Sequence, residues 1–145
     1  MKAVIATDGS KSAQEAVRFA ARLIPPFDSF VVVNIQMMAR AYMEGVSPQE
    51  VVTSLQDAGQ KMVDEAAALL EQHGAQVEKL VSVAPQQGLA QTIVEIARQR
   101  QADAIIMGSR GLSDLRGFFL GSVSHAVLSR SPVPVLIVPA ASAES

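Results

Sequence analysis

Three glycines, one aspartate and their spacing hold the chemistry of this chain. Gly108-Ser109-Arg110-Gly111 is followed after nine residues by Gly121-Ser122, which gives Gly-x2-Gly-x9-Gly-Ser. The segment leaves a short apolar run, Ala104-Ile105-Ile106-Met107. Glycines at such an exit let the backbone approach a ligand closely and take up positive φ. A glycine and serines at the start of the next helix leave N–H groups without intrahelical partners, and these bind anions, phosphate above all. The arrangement therefore points to a phosphorylated ligand. Arg110 can fork onto two phosphate oxygens, and the hydroxyls of Ser122 and Ser124 can add hydrogen bonds. Arg116, inside the nine-residue segment, is a candidate to fold over the ligand.

A second strand exit carries Thr7-Asp8-Gly9-Ser10. Asp8 has the setting of a turn residue, and it also suits Mg²⁺, which takes one or two carboxylates together with phosphate oxygens. Two other phosphate motifs do not fit. A P-loop needs Gly-x4-Gly-Lys-Ser/Thr, and a dinucleotide fingerprint needs Gly-x-Gly-x-x-Gly after the first strand. No Ser/His/Asp arrangement and no facing carboxylate pair stands out, so no catalytic residue is assigned. His73 and His125 are far apart in sequence, and Asp64 and Glu65 are adjacent on a helix and do not face each other.

These segments need a frame, and the periodicities supply one. Strand signals fall at Lys2–Ala6, Phe30–Ile35, Val77–Val83, Ala102–Met107 and Val133–Val138. Between them lie helix signals. Ser12 with Glu15 has the spacing of a capping box for a first helix that Pro25-Pro26 stops. Ser47-Pro48-Gln49-Glu50 opens a second helix that runs to about His73, with Gly74 suited to its C′ position. Gly59 within it marks a bend or a tight contact. Leu89 to about Arg100 forms a third helix and Gly121–Ser129 a fourth. Met37, Met38, Tyr42 and Met43 fall in an irregular stretch, and the tail Ala140–Ser145 reads as frayed. Strict alternation with near-continuous apolar strands implies an α/β fold: an open parallel five-stranded sheet, doubly wound, with helices on both faces. Such sheets bind ligands at the carboxyl ends of their strands, where the strand order reverses.

Composition narrows the classes. With 145 residues, 49% of them apolar, the chain is expected to form one domain over 1–145. A net charge of −2 with no basic run argues against nucleic acid. The absence of cysteine removes disulfides and thiolate metal sites. No apolar run approaches a bilayer span and no leader pattern is visible, so no membrane partner and a cytoplasmic location are expected.

Several segments together resemble the universal stress protein family in its ATP-binding branch. They are Val4-Ile5-Ala6-Thr7-Asp8-Gly9-Ser10, Ala104 to Gly111, Leu120-Gly121-Ser122-Val123-Ser124, and Ser131-Pro132-Val133-Pro134-Val135-Leu136-Ile137-Val138. The family's ATP-binding pattern, Gly-x2-Gly-x9-Gly-Ser/Thr, is complete here. The resemblance implies a Rossmann-like (adenine nucleotide alpha hydrolase-like) sheet of order 3-2-1-4-5 and a homodimer. It implies ATP or another adenine nucleotide as ligand, with Mg²⁺ or Mn²⁺. Ala6, Thr7 and Asp8 would lie near the adenosine or the metal, and Ile35 would meet adenine through its backbone. Met107 and Gly108 would line the ribose and phosphate approach, Arg110 and Gly111 would contact phosphates, and Gly121, Ser122, Val123 and Ser124 would cradle them. Ala6 departs from the proline that several nucleotide-binding members carry. In that topology Val133–Val138 is an edge strand, apolar and open to a two-fold copy, with Pro134 limiting further addition.

Three functions compete. The first is an ATP-binding, nucleotide-responsive regulatory module for stress response. The second is a slow Mg-dependent ATPase or nucleotidyl-transfer enzyme, with Asp8 holding the metal and Arg110 stabilising charge. The third is a flavodoxin-like flavin carrier, disfavoured by the absence of tryptophan and the presence of a single tyrosine.

Overall fold

The computed structural model describes residues 1–37, 45–84, 88–109 and 120–140. Strands and helices alternate: β1 (Lys2–Ala6), α1 (Lys11–Ala21), β2 (Ser29–Met37), α2 (Pro48–Gln72), β3 (Gln76–Ala84), α3 (Leu89–Gln99), β4 (Ala104–Gly108), α4 (Ser122–Arg130) and β5 (Val135–Val138). All pairings are parallel, and the order is β3-β2-β1-β4-β5. The alternation of side chains along each strand divides the core in two. Ile5, Phe30, Val32 and Ile106 face α1 and α2, packing on Val17, Val63 and Leu70. Val4, Val31, Val33, Ile105 and Met107 face α3 and α4, packing on Ile93, Ala97 and Val127. Burial on both faces explains why the strands read as continuous apolar runs.

Several boundaries differ from the sequence expectation, each for a local reason. The cap of α1 is Ser10, whose Oγ accepts the Ala13 N–H at 3.3 Å. Ser12 lies inside the helix, and Glu15 pairs with Arg18. The turn sets this early start: Gly9 sits at φ +77° and Asp8 Oδ1 accepts the Ser10 N–H at 2.9 Å. The helix ends at Ala21, before Leu23 and Ile24, and the N–H of Leu23 closes on Ala20 O in a final turn. β4 begins at Ala104, because the Ala102 N–H is taken by Ala97 O at the end of α3, and it extends to Gly108, which pairs with Val138. β5 begins at Val135: Ser131 Oγ bridges to Val133 in a turn, and Pro134 has no N–H to offer. β2 and β3 each run longer than expected at both ends, in register from Ser29↔Gln76 to Met37↔Ala84.

The start of α2 follows the sequence closely. Ser47 and Glu50 form a reciprocal capping box and Pro48 takes the first helical position. Gly74 follows the helix at φ +90°. Gly59 proves to be a tight contact: a Cβ there would stand 2.6 Å from both Asn34 Oδ1 and Val81 Cγ1. Met38, Tyr42, Met43 and most of the tail lie outside the described residues.

Candidate functional site

The two segments singled out by their chemistry arrive at the same place. β1 and β4 are neighbours, with Ala6 in register with Met107. The chain leaves β1 through α1 toward β2 and leaves β4 through α4 toward β5, so the strand order reverses between them. That reversal opens the crevice in which open parallel sheets hold ligands. Ala6, Ile35, Met107 and Val123 all belong to the α3–α4 side of the core, so the apolar positions of the expected site share one face.

On the β1 side, the Thr7 N–H continues the ladder to Val33 O at 2.9 Å. Thr7 is buried, and its Oγ1 accepts the Gly9 N–H at 3.3 Å. Asp8 is half-buried. Its Oδ1 is occupied by the Ser10 N–H, and Oδ2 has no partner among the described residues.

On the β4 side, Gly121 caps α4 with extended dihedrals and no side-chain hydrogen bond. The Gly121 N–H donates to Ser109 O at 2.7 Å, which ties the helix start to the strand end. The first intrahelical bond is His125 N–H to Gly121 O at 2.9 Å. The amides of Ser122, Val123 and Ser124 precede it and have no partner among the described residues. Ser122 is exposed and Val123 half-buried. Ser124 is buried, and its hydroxyl donates to Gly108 O at 2.8 Å. That proton therefore anchors the helix to the strand, leaving the Ser124 amide, not the hydroxyl, for a ligand.

Gly108 has a packing role of its own. A Cβ there would lie 2.4 Å from Ser12 Oγ and 2.7 Å from Ala13 N, so glycine is what lets the first turn of α1 close on the end of β4. Arg110, Gly111 and Arg116 lie outside the described residues. His125 is exposed on α4, and His73 caps the end of α2 with Nδ1 at 2.8 Å from Leu69 O. No group of three or more His, Cys, Asp or Glu is close enough to hold a metal among the described residues. A cation at Asp8 would thus need phosphate oxygens to complete its shell.

Sequence reasoning passed over Asn34. It is 2% exposed, and its Nδ2 donates to Thr7 O at 2.7 Å. The signal was a lone polar residue in the run Val31-Val32-Val33-Asn34-Ile35, since a buried amide needs partners. A separate cavity of about 190 Å³ lies between α1 and α2, walled by Thr7, Gly9, Gln14 and Met62 among others. None of Ile35, Met107 or the α4 start lines it. No helix among the described residues is long and apolar enough to cross a membrane.

The fold and the position of the crevice define a Rossmann-like α/β protein with its candidate site at the strand-order reversal. The sequence model of the universal stress protein family matches residues 1–139, and the chain belongs to that family. The universal stress protein MJ0531 of Methanocaldococcus jannaschii is 32% identical over 142 residues, covering 94% of this chain and 81% of the relative. Protein MJ0577 of the same organism has a solved structure that matches with a TM-score of 0.81 at 26% identity, over 95% of this chain and 94% of that one. A universal stress protein crystallised in complex with cAMP matches with a TM-score of 0.68 at 28% identity, over 97% of both chains.

Proposed function

We propose that this single-domain universal stress protein binds an adenine nucleotide, ATP foremost, and acts as a nucleotide-responsive regulatory module. The observation that supports the reading best is the start of α4, which has no side-chain cap, at the end of β4, the strand next to β1. Three successive amides there have no partner among the described residues, and the dipole of the helix adds favourable potential for a polyanion, about 0.3–1 kcal/mol per charge at an exposed site. The cAMP complex of a relative supports an adenine nucleotide as the ligand class.

In this reading Ser122, Val123 and Ser124 hold phosphate oxygens through their backbone, and Gly121 keeps the approach clear of a side chain. Arg110 and Gly111 would contact the phosphates. Met107 and Gly108 border the ribose, while Ala6 and Thr7 border the adenosine and the peptide of Ile35 meets the adenine edge. Asp8 Oδ2, without a partner among the described residues, fits a divalent cation shared with the phosphates, and Mg²⁺ or Mn²⁺ would supply charge neutralisation when bound.

Nucleotide extracted from freshly purified protein, followed by calorimetric titration of the stripped protein with ATP and Mg²⁺, tests the reading. Adenine nucleotide in the extract and saturable heat are expected. Absence of saturable heat with ATP, AMP and cAMP alike would reject it.

A homodimer through residues 133–138 belongs to the same proposal. β5 offers only one edge to β4, its sequence is Val-Leu-Ile-Val, and Leu136 is 37% exposed. Sedimentation should give a dimer mass that Leu136→Lys reduces to a monomer. A monomeric wild-type chain at micromolar concentration would contradict it.

A further inference from the structure

The β1–β2 ladder stops in an unusual way. Ala6 pairs with Val33, and the Thr7 N–H still reaches Val33 O at 2.9 Å. A parallel ladder would place the next rung from the Ile35 N–H to Thr7 O. That rung is missing from the backbone hydrogen bonds of the described residues. Thr7 O is occupied instead by Asn34 Nδ2 at 2.7 Å. A carbonyl can only accept, so the carboxamide nitrogen must face it. The other end of the carboxamide is held as firmly. Gln36 Nε2 donates to Asn34 Oδ1 at 2.7 Å, and Gly59 brings the backbone of α2 so near that a Cβ would stand 2.6 Å from that oxygen. Met62 Sδ lies 3.3 Å from Asn34 Nδ2.

We infer that Asn34 is a positioning residue that sets the base preference of the site: by satisfying the Thr7 carbonyl with its side chain, it holds the Ile35 peptide N–H out of the ladder and open to the edge of a purine. Two consequences follow from one contact. The chain is released to turn at Thr7-Asp8-Gly9, which aims Asp8. The Ile35 peptide, on the face shared with Ala6 and Met107, keeps a donor with no rung to Thr7 O among the described residues, beside its carbonyl. An adjacent donor and acceptor on one backbone fit the alternating acceptor and amino donor of the adenine edge, and they mismatch the carbonyl and ring N–H of guanine. This inference rests on the adenine-nucleotide reading of the site.

Backbone hydrogen exchange, with titrations of ATP, GTP and inorganic tripolyphosphate, tests it on the full chain. In the nucleotide-free wild type, the Ile35 amide should exchange about a hundredfold faster than the Val33 amide, and ATP should slow it. Asn34→Leu frees the Thr7 carbonyl for the missing rung. The Ile35 amide should then be protected without nucleotide and ATP should bind about tenfold more weakly. The preference for ATP over GTP should shrink while tripolyphosphate binds as before. Gly59→Ala, which favours the helix but pushes the carboxamide aside, should give the same pattern if Asn34→Leu fails to fold. Val33-like protection of Ile35 in the free wild type overturns the inference. So does a folded variant with unchanged ATP affinity and base preference. A wild type that binds neither ATP nor tripolyphosphate instead overturns the nucleotide site itself, whereas binding of both without dependence on Asn34 overturns only its positioning role.

Discussion

α1 and α4 start at the same end of the sheet, after neighbouring strands, yet their first turns are finished differently. The start of α1 is closed from within: Ser10 Oγ takes the Ala13 N–H, and Asp8 Oδ1 takes the N–H of Ser10. The start of α4 is closed only at its root, where the Gly121 N–H meets Ser109 O, and the next three amides stay unpartnered among the described residues. Charged or polar caps at N-termini are the common solution, and α2 uses a complete capping box. α3 also opens on a glycine, Gly88, without a side-chain cap, but it follows the edge strand β3, away from the reversal between β1 and β4. Under the proposed function the difference between α1 and α4 is one of purpose: one helix start is closed for stability, and the other has no cap among the described residues where the topology makes a crevice.

Installing a cap on the open helix should break the contrast most severely. Gly121→Asp supplies a carboxylate that satisfies α4 amides and repels phosphate. We expect folding stability to hold or rise slightly, since glycine is only a few tenths of a kcal/mol poorer than aspartate at this position. ATP affinity should fall about a hundredfold or more, through lost amides and like-charge repulsion. Thermal melts and calorimetric titration of one sample separate the two effects. Next in size is Gly108→Ala, which forces a methyl group into Ser12 and the Ala13 amide where the end of β4 packs on the first turn of α1. A loss of about 1–3 kcal/mol in urea denaturation is expected, as for overpacking generally. Ser10→Ala removes the cap of the closed helix. It should cost about 1 kcal/mol of stability and leave ATP affinity within about twofold, the reverse of the Gly121 variant.

The smallest effect is one of pH and sharpens the contrast through α2. The Ser47 N–H holds the Glu50 carboxyl below its ordinary value. A carboxyl lowered on folding stabilises the fold above its unfolded value and loses that contribution as the pH falls through the lowered one. Protection factors of the amides at the start of α2, taken against their intrinsic exchange rates at each pH, should therefore fall on acidification below the ordinary carboxylate range. The start of α4, which has no carboxylate cap, should show no such step.

Much of the frame was legible because it depends on local chemistry. Ser47-Pro48-Gln49-Glu50 marked the start of α2, and Gly74 its end, because caps and positive φ belong to particular residue types. The same logic misplaced the start of α1. Ser10 and Ser12 both offer a cap, and only the Asp8–Gly9 turn decides between them. The glycine spacing pointed to the candidate site, since strand, glycine and helix are contiguous in sequence. The packing of Gly108 on Ser12 and the grip of Asn34 on Thr7 O were not legible. They join residues far apart in the chain and exist only once the sheet is assembled.

In the proposed function, nucleotide binding rests on the amides of Ser122, Val123 and Ser124. A two-dimensional ¹H–¹⁵N titration of the full chain with ATP and Mg²⁺ addresses them individually. Large, saturable shifts at these three amides, together with Ile35 and with little change at Ala13, are the predicted result. Saturable binding that leaves the three unmoved, or no saturable shift anywhere, would contradict it.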